Sequence, residues 1–145
     1  MIELKESKIV EVERFVEMES ASDTAGFILP YSAEQHFAAM AQAQVIYLSI
    51  YQSQVLVGFI ILSLDGTSSV EFRRIVVSEK GRGIGQHAMI SMEQYCIDVL
   101  GRKRIWLDVF SENARGIHIY QKQGYNQFDQ GEYHGQSLLF MEKLL

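Results

Sequence analysis

The chain has 145 residues, of which 48% are hydrophobic and 21% charged, with a formal net charge of -5. This length predicts one domain, residues 1–145, with enough apolar side chains for a core. A protein that binds duplex nucleic acid needs a basic surface, so the negative net charge argues against that class of partner. The negative field slightly favours a cationic small molecule or a basic peptide.

Localisation and metal content follow from segments and spacings. No apolar stretch reaches the roughly 20 residues that cross a bilayer, and the N-terminus lacks the apolar core of a signal peptide. The single cysteine, Cys96, excludes an internal disulfide framework and suits a reducing compartment. We therefore expect a cytoplasmic protein without membrane contact. No metal is expected, because metal-ligand spacing is missing around the histidines His36, His87, His118 and His134.

The first elements are a predicted strand at 2–5 and a helix that Ser7 can cap. The apolar residues of that helix share one face, namely Ile9, Val12, Phe15 and Val16. After a loop at 21–31, Ser32 and Gln35 form a capping box, which predicts a second helix. Strands are then predicted at 45–51, 55–64 and 69–77, joined by turns at 52–54 and 65–66.

The second half of the chain alternates helices and strands. Helical spacing returns over 83–100, and a strand at 104–110 precedes a helix at 113–123 that stops at Gly124. The last two strands are predicted at 125–128 and 137–144. The order β-α-α-β-β-β-α-β-α-β-β predicts a mixed α/β (α+β) fold, with one sheet and helices on both of its faces.

A glycine-rich turn, Lys80-Gly81-Arg82-Gly83-Ile84-Gly85, lies between the third long strand and the following helix. Glycines let the backbone approach a ligand, and a helix start offers unpaired N–H groups to an anion, so phosphate is the natural guest. The spacing differs from the P-loop and from the dinucleotide-binding fingerprint. From these residues alone, an ordinary strand-to-helix turn is the alternative.

Two stretches resemble the GNAT superfamily of acyl-CoA-dependent N-acetyltransferases. The turn is similar to the family motif Arg/Gln-x-x-Gly-x-Gly/Ala, with Lys80 at its first position. Residues 106–125 resemble the family's fifth strand, fourth helix and sixth strand, with Asn113 and Tyr120 seven residues apart and Gly124-Tyr125 closing the stretch. The resemblance covers about residues 55–145, and the N-terminal third in element order only. It implies a mostly antiparallel twisted sheet of about seven strands.

The resemblance also implies a co-substrate and its binding residues. Acetyl-CoA would donate its acetyl group directly to a primary amine, without a covalent enzyme intermediate. Asn113 is similar to the asparagine that contacts the pantetheine arm, and Tyr120 to the tyrosine near the cofactor sulfur. The remaining residues implied to bind the cofactor are Ile75, Val76, Val77, Gly81, Arg82, Gly83, Ile84, Gly85 and Gln86. Members of the family often form homodimers.

Transfer to an amine needs two proton transfers. An alkyl amine near pKa 10 is protonated at neutral pH and must lose a proton, while the departing thiolate benefits from a proton donor. The resemblance assigns the acid to Tyr120 and the base to Asp108 or Glu71, and a water chain could replace either carboxylate. Candidates for the acceptor site are Phe27, Tyr31, Glu34 and Tyr133, for which surface or packing roles are the alternative.

Three functions are left open at this point. The first is an N-acetyltransferase, for which we rank small amines slightly ahead of peptides or protein N-termini. The second is a non-catalytic module that binds acyl-CoA as a sensor, and the third is an enzyme that binds nucleotide phosphates at the glycine turn. Removal of the Tyr120 hydroxyl separates the first two, and binding of acetyl-CoA against nucleotides separates the third.

Overall fold

The computed structural model describes residues 1–21, 29–79 and 82–145, and in these ranges seven strands form one sheet. The strands are β1 (Ile2–Glu6), β2 (Val45–Gln52), β3 (Val55–Asp65), β4 (Ser69–Val77), β5 (Arg104–Phe110), β6 (Asn126–Tyr133) and β7 (Gln136–Leu144). Their order across the sheet is β1-β2-β3-β4-β5-β7-β6, and only β4 and β5 pair in parallel. The predicted mixed, mostly antiparallel sheet is confirmed.

The helices also follow the predicted order. They are α1 (Val12–Glu19), α2 (Ala33–Met40), α3 (Ile84–Asp98) and α4 (Ala114–Lys122). The capping box before α2 is confirmed, because the Gln35 N–H donates to the Ser32 hydroxyl and the Gln35 side chain accepts from the Ser32 N–H. None of the helices in the described ranges is both long and apolar enough to cross a membrane.

The predicted start of the first helix is wrong. The Ser7 hydroxyl contacts the Ser49 hydroxyl at 2.7 Å instead of capping a helix. A 3-10 turn over Ile9–Glu11 precedes α1, and Ile9 is 67% exposed rather than buried. Ile9 therefore does not belong to the buried face that Val12 and Phe15 form.

The sheet has a core on each face. Alternate residues of β3 point to opposite sides, so Ile60 and Leu62 join one core and Phe59 and Ile61 the other. The first core is covered by α3 and by the apolar side of α4, and the second by α1 and α2. The apolar run of β3 therefore has the composition expected of a strand that is buried on both faces.

The parallel pair β4 and β5 is joined along part of its length only. Its register runs from Ser69 opposite Arg104 to Glu71 opposite Trp106. Beyond these residues β4 continues to Val77 and β5 to Phe110 without further pairing between the two strands. A gap therefore opens in the middle of the sheet, at the carboxyl ends of both strands.

A bulge in β4 decides which side chains face this gap. Leu62 pairs with Phe72 and Ile61 pairs with Arg74, so Arg73 is an extra residue on β4. In a regular strand Arg74 would share a face with Phe72. Because of the bulge it lies on the opposite face, that of α1 and α2, where it contacts Glu19.

Candidate active site

A cavity of about 690 Å³ occupies the gap between the diverging ends of β4 and β5. Its volume lies in the range of small-molecule sites. The walls come from β4, β5, the first two turns of α3, the first two turns of α4, the residues just before α2, and one residue each of β6 and β7. The cavity therefore joins the two faces of the sheet, and groups from either face can reach a molecule bound in it.

One end of the cavity is the start of α3. Gly83 has a positive φ of 74°, which favours glycine, and its carbonyl accepts from the His87 N–H at 3.1 Å. The N–H groups of Ile84, Gly85 and Gln86 therefore precede the first N–H group that donates within the helix, that of His87. A Cβ added at Gly85 would meet no atom within 4 Å, so this turn leaves open space for a ligand. Free N–H groups at a helix start suit a phosphate.

The edge of β4 offers further backbone groups. The Ser78 N–H donates to the Val57 carbonyl at 2.8 Å, which marks Ser78 and Val57 as a hydrogen-bonded antiparallel pair. Because such pairs alternate, the N–H and C=O groups of Ile75 and Val77 point away from β3, into the gap. Both residues line the cavity. An extended arm with amide groups can pair with this edge as an additional strand would.

Asn113 begins α4 and is its N-cap. Its Oδ1 accepts from the Gly116 N–H at 2.9 Å, which satisfies one of the free donors of the helix start. A Cβ on Gly116 would lie 2.5 Å from the Asn113 Nδ2, so glycine is required for this arrangement. Both residues line the cavity. The capping role weighed for Asn113 is thus observed, and its contact with the pantetheine arm stays a prediction.

Tyr120 extends from α4 into the cavity from the face that α3 and α4 cover. Its half-buried ring meets Phe72 and Tyr125 edge-on, with centroids 6.3 Å and 6.1 Å away. Its hydroxyl makes no hydrogen bond to the part of the chain that the structure describes. Burial, with a smaller contribution from the charge of Asp108, raises the pKa of Tyr120 to about 12. The hydroxyl is therefore protonated at neutral pH and free to donate.

Asp108 reaches the same cavity from the opposite face. Its neighbours Leu107 and Val109 are buried on the face of α3 and α4, so the alternation of β5 directs Asp108 to the other side. Loss of water around the carboxyl, with the nearby charge of Glu71, raises its pKa, and Arg73 opposes this rise. Among the described residues Asp108 has no ion-pair partner, whereas Glu71 is paired with Arg73 at 3.0 Å.

Most of the residues predicted from the sequence meet at this cavity. The group comprises Glu71, Ile75, Val77, Gly83, Ile84, Gly85, Gln86, Asp108, Asn113 and Tyr120, together with Tyr31 and Tyr133, two of the candidates for the acceptor site. Phe27 and Gly81 lie outside the described residues.

Three predicted residues lie away from the lining. The side chain of Val76 is fully buried in the core under α1 and α2, and its backbone pairs with β3 instead of facing the gap. The Arg82 side chain is exposed and pairs with Glu79 at 3.2 Å. Glu34 is exposed on α2, because its position on the helix faces away from the sheet. None of these three residues lines the cavity, and their contacts with cofactor or acceptor stay predictions.

Sequence reasoning missed the arginines of the cavity. Arg73, Arg74 and Arg115 line it, and none of them was a candidate. The signal for Arg73 and Arg74 was present: two adjacent arginines lie on a predicted strand, which is costly unless both are paired. Glu71, the partner of Arg73, is only two residues away, but the partner of Arg74 could not be read from local spacing, because Glu19 and Arg74 are 55 residues apart.

Comparison with known proteins agrees with this geometry. Residues 12–125 match the model of the acetyltransferase (GNAT) family. The chain is 24% identical over 104 residues to a spermine/spermidine N(1)-acetyltransferase of Bacillus subtilis, a match that spans 66% of this chain and 68% of that protein.

Solved structures share the fold over the whole chain. A spermidine N-acetyltransferase from Vibrio cholerae, in complex with CoA and spermine, superposes with a TM-score of 0.86 at 17% identity, over 99% of this chain and 95% of that one. The PaiA N-acetyltransferase from Thermoplasma acidophilum, in complex with coenzyme A, gives 0.81 at 21% identity, over 100% and 99%. The chain belongs to the GNAT family of acetyltransferases, enzymes that take their acetyl group from acetyl-CoA.

Proposed function

We propose that the protein acetylates a primary amine of a small cationic molecule, with Asp108 as the general base and Tyr120 as the general acid. The observation that carries the proposal is the placement of these two side chains in one cavity, on opposite faces of the divided sheet. An acetyl thioester in the gap would have one group on each side. Attack from the face of Asp108 and departure of sulfur toward Tyr120 follow from this arrangement.

The proton transfers fit the states of the two groups. Asp108 accepts a proton from the ammonium of the acceptor, and the freed amine attacks the thioester carbonyl. The new C–N bond forms as the C–S bond breaks, and Tyr120 donates its proton to the sulfur. The nitrogen loses its second proton to solvent as it becomes an amide, and solvent returns a proton to Tyr120, so that one proton is released for each acetyl group transferred. A base with a raised pKa accepts a proton more readily than an ordinary carboxylate, and a protonated hydroxyl without another partner is free to donate.

Asp108 is preferred to Glu71 because of their partners. Glu71 already accepts a hydrogen bond from Arg73, so its carboxylate is engaged with another side chain. Asp108 has no such partner among the described residues, so it can receive the proton of the acceptor. The relatives named for spermine and spermidine support a polyamine as the acceptor class. A negative overall charge also favours a cation.

The binding residues of acetyl-CoA follow from the same cavity. The N–H groups of Ile84, Gly85 and Gln86 would hold the pyrophosphate, and the edge formed by Ile75 and Val77 would hold the pantetheine arm. Asn113 and Gly116 close the opposite wall of the cavity at the start of α4.

The test is an acetyl-transfer screen with release of the free thiol as readout. The panel contains spermine, spermidine, simple monoamines, amino acids and a peptide with a free N-terminus. We expect turnover with the polyamines. Tyr120→Phe should then lower kcat by about 10²-fold or more, with the KM for acetyl-CoA retained.

Tyr95→Phe is the matched control, because Tyr95 is a half-buried tyrosine of α3 outside the cavity. It should leave kcat unchanged. A Tyr120→Phe enzyme with wild-type kcat would contradict the acid role, and turnover confined to the peptide would contradict the acceptor class.

A further inference from the structure

A buried chain of polar side chains leads from α1 and α2 to the cavity. Glu19, the last residue of α1, and His36 of α2 are both 0% exposed. The Glu19 Oε1 lies 2.5 Å from the His36 Nε2, and the His36 Nδ1 lies 2.6 Å from the Tyr47 hydroxyl. The other carboxylate oxygen of Glu19 accepts from the Arg74 guanidinium. Four polar groups in a core are costly unless each has a partner, and here each has one.

Two members of this chain show how its charge is arranged, namely Tyr47 and Arg74. Burial raises the pKa of Tyr47, so its hydroxyl keeps its proton. Glu19 forms an ion pair with the Arg74 guanidinium, so the charge of Arg74 has its partner on the side of α1.

Arg74 carries this chain into the cavity. Its guanidinium lies 4.2 Å from the centre of the Tyr31 ring, and both residues line the cavity. Tyr31 also packs edge-on against His36, with the two ring centroids 5.2 Å apart. Glu19 thus holds Arg74, and His36 holds Tyr31, from the side of the stacked pair that faces α1 and α2. This pair lies on the face from which Asp108 reaches the gap, the acceptor side of the cavity.

We infer that Glu19 is a positioning residue for the acceptor: it holds the Arg74 guanidinium against Tyr31 and neutralises its charge, so that a cationic amine can approach Asp108. This inference rests on the proposed function. Without Glu19 the cavity would hold an unpaired guanidinium on the path of a protonated amine. The positive charges of the guanidinium and of the amine would repel each other inside one cavity. This repulsion is stronger beside a protein wall than in bulk water.

The experiment is Glu19→Gln, with steady-state kinetics in both substrates at low and high salt. We expect the KM for spermidine to rise about tenfold, because the charge of Arg74 is no longer compensated. The KM for acetyl-CoA should stay within about twofold, and part of the rise should disappear at high salt, which screens the repulsion. Glu19→Gln combined with Arg74→Gln removes both charges and should restore most of the acceptor KM.

Glu11→Gln is the matched control. Glu11 is also a buried carboxylate next to α1 and accepts hydrogen bonds from the Ser49 and Tyr51 hydroxyls, but it does not line the cavity. Its loss should lower the melting temperature and leave both KM values unchanged. An unchanged acceptor KM in a folded Glu19→Gln variant would overturn the inference, as would equal rises in both KM values.

If Glu19→Gln does not fold, Glu19→Asp keeps the charge and draws it back from Arg74. A smaller rise in the acceptor KM is then expected, and an unchanged value overturns the inference. The two proposals can fail separately. Wild-type turnover with spermidine and a full effect of Tyr120→Phe, beside an inert Glu19→Gln, would leave the proposed function intact and remove the role of Glu19. Absence of turnover with every amine overturns both.

Discussion

The two ends of the pair β4 and β5 differ in composition as well as in geometry. At the paired end Val70 lies opposite Ile105, and both side chains are fully buried. At the separated end the same two strands carry Arg73, Arg74 and Asp108 into the cavity. Backbone groups that do not pair with each other need other partners, and polar side chains in the gap need a ligand or an ion pair. One end therefore holds the sheet together, and the other is left for binding and chemistry.

The sharpest test of the separated end is Asp108→Asn. Removal of a positioned general base should lower kcat/KM for the amine by about 10²- to 10⁴-fold. In the wild type, activity should rise with pH as Asp108 loses its proton, and the variant should lack this rise. The measurement is a pH profile of kcat/KM, with the exposed Asp98→Asn as control. If kcat/KM of the variant still rises with pH as in the wild type, the general base is a group other than Asp108.

The same substitution should not lower stability at neutral pH. The pKa of Asp108 is raised in the folded chain, so the folded state keeps this proton at pH values where the unfolded state has lost it. The stability contributed by the protonated carboxyl is present at low pH and is lost as the pH rises from about 3.9, the unfolded value, through the raised folded value. A melting temperature for Asp108→Asn at or above that of the wild type is expected at pH 7.

Ile105→Ala tests the paired end. This side chain is 0% exposed, and truncation of a buried isoleucine costs about 2 to 5 kcal/mol of unfolding free energy. Acetyl transfer per folded molecule should change little, because Ile105 does not line the cavity. Denaturant unfolding and turnover are measured on the same samples, with the exposed Ile97→Ala as control. A large loss of turnover without a loss of stability would contradict the assignment of stability to the paired end and of chemistry to the separated end.

Gly85→Asp should give the smallest of these effects. It tests whether the start of α3 binds the pyrophosphate of acetyl-CoA. There is space for the new side chain, but its negative charge would stand where we place the pyrophosphate. The KM for acetyl-CoA should rise about tenfold, since like charges repel. Stability should not fall, because an acidic residue is favourable in the first turn of a helix. Gly85→Ala, which adds no charge, is the control and should bind acetyl-CoA nearly as the wild type does.

The order of elements could be predicted from the sequence because each element has a local signal. The turn at residues 52–54 and the capping box at Ser32 and Gln35 depend on neighbouring residues only, and both are observed. The predicted start of the first helix was wrong because the Ser7 hydroxyl forms its hydrogen bond with Ser49, 42 residues away. A partner at that distance along the chain leaves no trace in local spacing.

The site could be predicted in part for a similar reason. Tyr120, Asn113 and Asp108 belong to one continuous stretch with recognisable spacing, and the structure brings them to one cavity. Val76 was a candidate but does not line the cavity, because spacing alone does not say which way the backbone of a strand points. Glu19 and His36 were missed because their importance depends on Arg74. Arg74 faces them only because of the β4 bulge, and no local sequence pattern predicts that bulge. The single domain, the cytoplasmic compartment and the homodimer stay predictions.

The bulge at Arg73 also determines how β4 tolerates changes of chain length. Deletion of Arg73 would return the strand to strict alternation with every later side chain on its present face, since Phe72, Ile75 and Val77 already face the same core. Deletion of Ile75 would instead invert the remainder of the strand. In evolutionary terms, Arg73 is the position at which β4 can lose one residue without exchanging the two cores of the molecule.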